Sequence, residues 1–216
     1  MMSSLWLNDR RKNIYSQNGE DGVIEAIFER IGMTNRWCCD VGAHDGLTWS
    51  NVANLIFGAD WSGVLIESDQ EKFDELWKNV FAFKAVHRVV EIHQHVEVGM
   101  LDGILAKTSI PKDFDLLNID VDGPDIQIWR NLKNYHPRVV IIEVDSLCEP
   151  GDGKASEQGM ATIDEVVAVG KEKGYELALH TGNAIFVQRK LAGKLDVEVD
   201  RWQELFDRKW VLEQHG

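Results

Sequence analysis

Cysteine is scarce in this chain: three among 216 residues, with Cys38 and Cys39 adjacent and Cys148 far downstream. Three thiols so placed make no disulfide framework and match no zinc-ligand spacing, so buried free thiols are expected. Basic charge is also short, with 23 Lys and Arg against 36 Asp and Glu and a formal net charge of −13. That excess repels a phosphate backbone at long range, which argues against nucleic acid as a substrate. Long apolar runs are missing too. No segment approaches the roughly 20 apolar residues that span a bilayer, and the start MMSSLWLNDRRKN lacks the apolar core of a secretory signal. A soluble, cytoplasmic protein with no membrane partner is expected. No internal repeat or low-complexity tract is visible.

What is present, 44% hydrophobic and 27% charged residues, fits a single globular domain over 1–216 with a full core. After Gly19-Glu20-Asp21, the residues Val23, Ile24, Ile27, Phe28 and Ile31 recur at helical spacing until Gly32. Strand-like runs at 37–42, 62–67, 86–93, 114–120 and 138–144 then alternate with helical patterns at 48–57, 70–80, 98–107 and 124–133. Repeated βα units predict a mostly parallel sheet with helices on both faces. The runs GVLIE and RVVIIEV, apolar almost throughout, belong at its centre. EPGDGKASEQGM at 149–160 reads as a surface loop and a candidate lid. A helix over 161–173 ends at Gly174, and YELALH and AIFVQR, split by Thr181-Gly182-Asn183, predict an antiparallel hairpin. The divisions are an N-terminal helical cover at 1–36, a Rossmann-like core at 37–190 and a helical tail at 191–216. In the tail, Trp202, Leu205, Phe206 and Trp210 mark one helical face, packed on the core or on a partner. Oligomeric state is open.

The chemistry concentrates in CCDVGAHDG at 38–46 and WSGVLIESD at 61–69. A strand ending in Gly42 and Gly46 lets backbone approach a ligand closely, and an acid at the end of the next strand, Glu67, suits vicinal ribose hydroxyls. A solvated helix cap is the plainer role for Glu67. The glycines stand too far apart for the G-x-G-x-x-G fingerprint of dinucleotide binding, which weakens an NAD-dependent oxidoreductase as the alternative. Asp120, Asp122 and Asp125 follow one strand and Glu143 and Asp145 end the next, so all five acids converge above one sheet edge. They could act as general base or hold Mg²⁺. Otherwise Asp122 and Asp125 cap the helix at Pro124. His44 is a candidate base or a solvent-facing turn residue.

Five segments, YSQNGEDGVIEAIF at 15–28, DVGAHDG at 40–46, DFDLLNIDVDGPDIQIW at 113–129, PRVVIIEVDS at 137–146 and KEKGYELALHTGNAIFV at 171–187, resemble the FkbM-like family of class I S-adenosylmethionine-dependent methyltransferases. The resemblance spans about residues 13 to 190. It implies a seven-stranded class I methyltransferase fold and transfer of a methyl group to an oxygen of a saccharide or related small acceptor. It implies S-adenosyl-L-methionine held by Gln17, Asp21, Asp40, Gly42, Ala43, His44, Gly46, Glu67, Ser68 and Asp120, with His95 and Val96, beside His93, at the adenine end. Asp120, Asp122 and Glu143 become the catalytic candidates, and Asp120, Glu143 and Asp145 the metal candidates. Here Val144 separates two acids that stand adjacent in related sugar O-methyltransferases, so Glu143 and Asp145 share a face only if the strand reaches 145. Trp49 and Trp129 are candidates to stack on a sugar face, or else core aromatics. A module of the same fold that binds a nucleoside without turnover is the non-enzymatic alternative.

Overall fold

Seven strands form one sheet in the order β3-β2-β1-β4-β5-β7-β6. The computed structural model describes residues 3–153, 156, 159–197 and 199–207. The strands are β1 (Trp37–Val41), β2 (Ser62–Glu67), β3 (Val89–His93), β4 (Leu116–Ile119), β5 (Val139–Glu143), β6 (Tyr175–His180) and β7 (Asn183–Gln188). The first five run parallel, and β7 enters antiparallel between β5 and β6. The central strands are buried on both faces, which is why their sequences read as continuous Val, Ile and Leu rather than as alternation.

Helices α1 (Glu20–Ile31) and α2 (Gln70–Ala82) cover one face, where Val23, Ile27, Leu76 and Val80 pack on Leu65, Leu116 and Ile141. The other face carries α3 (Leu101–Leu105), α4 (Asp125–Asn131) and α5 (Ile163–Lys173), with Ile104, Trp129 and Val166 against Val64, Leu117 and Val140. Thr162 and Glu165 form a reciprocal cap at the start of α5, and Gly174 in the left-handed region ends it. A short helix α6 (Arg189–Ala192) follows β7.

Register explains how the site is assembled. Val41 pairs with Ile66 on one side and Ile119 on the other, and Ile119 pairs with Ile142. The next residue of each strand or loop, namely Gly42, Glu67, Asp120 and Glu143, therefore lies along one carboxyl edge. The chain leaves β1 toward β2 and β3 and later returns to its other side as β4, so this edge contains the topological switch point.

Three elements differ from the sequence expectation. The stretch 48–57 is mostly turn, with one five-residue π-helical turn at Asn54–Gly58. Asp45 draws the amides of Leu47 and Thr48 onto its carboxylate, and Trp49 has φ 57, so local side-chain bonding overrides the apolar periodicity. The third strand begins at Val89 rather than 86, after a tight turn through Lys84 and Ala85. The 98–107 helix is only Leu101–Leu105. In the tail, Leu205, which ends the 3-10 segment Val199–Leu205, and Phe206 just after it pack into the core, while Trp210 lies outside the described residues. The lid expectation falls partly outside them as well, at 154–155 and 157–158. All three cysteines are buried. Among the described residues, no helix is long and apolar enough to cross a membrane.

Candidate functional site

A cavity of about 500 Å³ opens at the carboxyl edge of β1, β2, β4 and β5. Its floor is the turn Gly42-Ala43-His44. Gly42 has φ +89, and a Cβ there would collide with the Asp120 carbonyl oxygen, so the turn sits against the end of β4 with only a hydrogen to spare. Glu67 forms the adjoining wall and is fixed from three sides. One carboxylate oxygen accepts from the amide of His44 at 2.7 Å, and the other accepts from the amides of Ser68 and Asp69 at 2.7 Å each. Asp40 lies beneath, accepting a 2.7 Å bond from Asn118, which in turn accepts from Asn51. Burial pushes the Asp40 carboxyl up to about 7, helped by the neighbouring charges of Asp120 and Glu67 and opposed by the Asn118 bond.

At the other end, one carboxylate oxygen from each of Asp120, Asp122 and Glu143 lies within 4.8 Å of the others. Asp120 is raised to about 6 and Glu143 to about 9, each chiefly by burial and then by its acidic neighbours. Burial and the surrounding carboxylates thus favour the protonated form of Glu143 beside Asp120. Glu20, wholly buried, also lines the cavity, with its carboxylate held by the amide of Asn18 and by Thr181 and Asn183.

Gln17, Asp40, Gly42, Ala43, His44, Glu67, Ser68, His95, Val96, Asp120, Asp122 and Glu143 all line the cavity. Three expected residues do not. Asp145 lies past the end of β5, buried in a turn where it accepts from the amide of Leu147, so the acids close enough to share an ion are Asp120, Asp122 and Glu143. Asp21 gathers the amides of Ile14, Tyr15 and Ser16 on one oxygen, which shapes the N-terminal segment. Gly46 packs toward Leu76 and Leu65 beneath the turn. Two weaker candidates also move. His93 stacks on Phe73, and Trp129 is core, wedged between Tyr175 and Phe186. Asp125 accepts the amides of Val121 and Gly123 in the preceding turn, so it braces that turn; the expected capping of the helix is not made, since α4 begins without a side-chain cap.

Glu20, Asn51 and Asn118 were missed by sequence reasoning. Glu20 sits where an acid is an ordinary helix-start residue, and Asn118 is hidden in an otherwise apolar strand. A lone Asn in LLNID is the one signal that could have exposed the polar relay below the floor.

No protein-family model matches the chain, and no curated protein sequence matches it significantly. Solved structures do. A candidate O-methyltransferase from Klebsiella pneumoniae aligns at 14% identity over 86% of this chain and 87% of its own, with TM-score 0.53. Magnesium protoporphyrin IX methyltransferase from Synechocystis PCC 6803 aligns at 11% identity over 78% and 81%, with TM-score 0.52. The chain has the class I methyltransferase fold. The Synechocystis enzyme was crystallised with S-adenosylhomocysteine, and separately with S-adenosylmethionine in a structure aligning at 10% identity over 78% and 77%, with TM-score 0.50.

Proposed function

We propose that the chain is an S-adenosylmethionine-dependent O-methyltransferase of the FkbM-like kind, acting on a saccharide or another small hydroxylated acceptor. The observation that carries this reading is the continuity of one cavity, from the Gly42 turn and Glu67 to the clustered carboxyl groups of Asp120, Asp122 and Glu143. Its volume suits a ligand of nucleoside size. Seven acids line it, Glu20, Asp40, Glu67, Asp69, Asp120, Asp122 and Glu143, against one lysine, Lys72, and that imbalance favours a cationic cofactor.

In this reading the Gly42–His44 turn holds the methionine part, Glu67 and Ser68 the ribose, and His95 and Val96 the adenine. Bound there, S-adenosylmethionine supplies an electrophilic methyl group that leaves sulfur by in-line displacement. Asp120 takes the proton that the acceptor hydroxyl sheds, and Glu143 keeps Asp120 anionic by donating to it. Orientation of the acceptor over the cavity supplies much of the remaining acceleration. Mg²⁺ is the second candidate at the same place, since three carboxylates offer hard oxygen donors; it would first have to displace the Glu143 proton.

Calorimetric titration with S-adenosylhomocysteine, followed by labelled methyl transfer against saccharides, nucleotide sugars and small hydroxylated metabolites, tests the proposal. Binding of NADH with no binding of S-adenosylhomocysteine would transfer the chain to the oxidoreductase reading. Cofactor binding without turnover on any acceptor class would favour the non-catalytic module.

A further inference from the structure

The two edges of the sheet are finished differently. At one edge, all six residues of β6 are buried, packed by the chain's own 3-10 segments Ser4–Arg10 and Val199–Leu205. At the opposite edge, only Val89 of β3 is buried. Beside this open edge lies an apolar surface: Trp77 (52% exposed) and Phe81 (63%) on α2, then Phe83, Val86 and Val90. Trp77 and Phe81 stack on each other with ring centroids 5.8 Å apart, and Phe83 rests on Phe57. Exposed apolar surface on this scale marks an interaction site.

Charge along α2 tells which partner fits. On the exposed face of α2 Glu71 and Asp74 precede the aromatics and Lys78 accompanies them, while Lys84 and His87 follow in the exposed turn after Ala82. From Leu76 to Val90 there is no acid, in a chain of net charge −13. The surface is thus acidic at one end, aromatic in the middle and basic at the other, an order that becomes self-complementary when reversed. We infer that α2 packs antiparallel on α2 of a second copy of this chain, across a two-fold axis at the level of Asn79. About that level Trp77 falls opposite the partner's Phe81, and the acidic start of the helix, Glu71 and Asp74, faces the basic turn that carries the partner's Lys84 and the partner's His87. Each relation occurs twice, as a closed two-fold interface requires. The helix dipoles also oppose favourably. An isologous pair of this kind buries an aromatic centre and leaves ion pairs at the rim, the usual division in stable interfaces. The methyl-transfer cavity lies at the carboxyl edge, so this surface does not depend on the proposed activity.

Sedimentation velocity from low to high micromolar protein tests the inference directly. The wild-type chain is expected as a particle of twice 24.5 kDa. Phe81→Asp should weaken association about thirtyfold, as loss of a central aromatic does, with unchanged circular dichroism. Should that variant fold poorly, the rim carries the test. Asp74→Lys and Lys84→Asp should each weaken association roughly threefold to tenfold at low salt, and the double variant Asp74→Lys, Lys84→Asp should restore it. A 24.5 kDa particle at every concentration, or a double variant as weak as either single, overturns the inference.

Discussion

A side-chain carbon on Gly42 would lie 1.8 Å from the carbonyl oxygen of Asp120, so two residues 78 positions apart in sequence are in backbone contact beneath the cavity. Gly42→Ala should therefore both strain a positive-φ turn and push β1 from β4. A destabilisation of about 3 kcal/mol is expected, a fall in Tm on the order of 10 °C. Differential scanning calorimetry measures it, and binding of S-adenosylhomocysteine should fall in parallel.

Asp120→Asn should remove the base and leave the cofactor end of the cavity intact. Turnover is expected to drop about 10² to 10⁴-fold, while S-adenosylhomocysteine binds nearly as before in calorimetry. In the unaltered chain Asp120 works only when charged, so turnover should decline as pH falls through about 6. A pH profile flat from 5 to 8 contradicts the assignment.

Asp40 makes stability depend on pH in the direction opposite to most carboxylates. Its folded pKa, about 7, stands above the ordinary carboxyl value of 3.8, so the folded chain holds a proton that the unfolded chain releases. This contribution is fully present below about 4 and is lost as pH rises to about 7. Asp40→Asn keeps an acceptor for Asn118 and cannot ionise, so its Tm relative to wild type should rise between pH 4 and pH 7. Thermal melts of the two proteins across that range decide the matter.

Asp115 plays the structural counterpart at the far end of the sheet. Fully buried, it accepts from the amides of Thr34, Asn35 and Arg36 and from Arg138 at 2.6 Å. Asp115→Ala leaves that guanidinium and three amides without their acceptor, and about 3 to 5 kcal/mol of stability should be lost in denaturant unfolding.

Exhaustive treatment with EDTA should leave turnover unchanged if the proton shared by Asp120 and Glu143 is what occupies the acidic end. Loss of activity, with recovery on adding Mg²⁺ alone, would assign that end to the metal.

Much of this arrangement was legible in the sequence, for reasons that differ by element. Buried parallel strands leave unbroken runs such as GVLIE, and register along a parallel sheet then forces Gly42, Glu67, Asp120 and Glu143 to one edge. Helix α1 was announced by its apolar spacing and by Gly32. The misreadings share a cause, side chains serving local backbone. Asp21 and Asp145 look like site acids in sequence, yet each is consumed by amides a few residues away. The same local bonding at Asp45 replaced the expected 48–57 helix with turns. Glu20 and Asn118 went unnoticed because their partners, Thr181 and Asp40, are remote in sequence.

The three amides that converge on Glu67 come from two different loops, His44 after β1 and Ser68 and Asp69 after β2. The carboxylate is thus a knot between them, tied when the sheet forms. In the proposed reading, a nucleoside arriving at that wall meets a surface whose ordering entropy was already spent during folding. Affinity there should respond to the few hydroxyls it can still accept, and very little to the mobility of the loops around it.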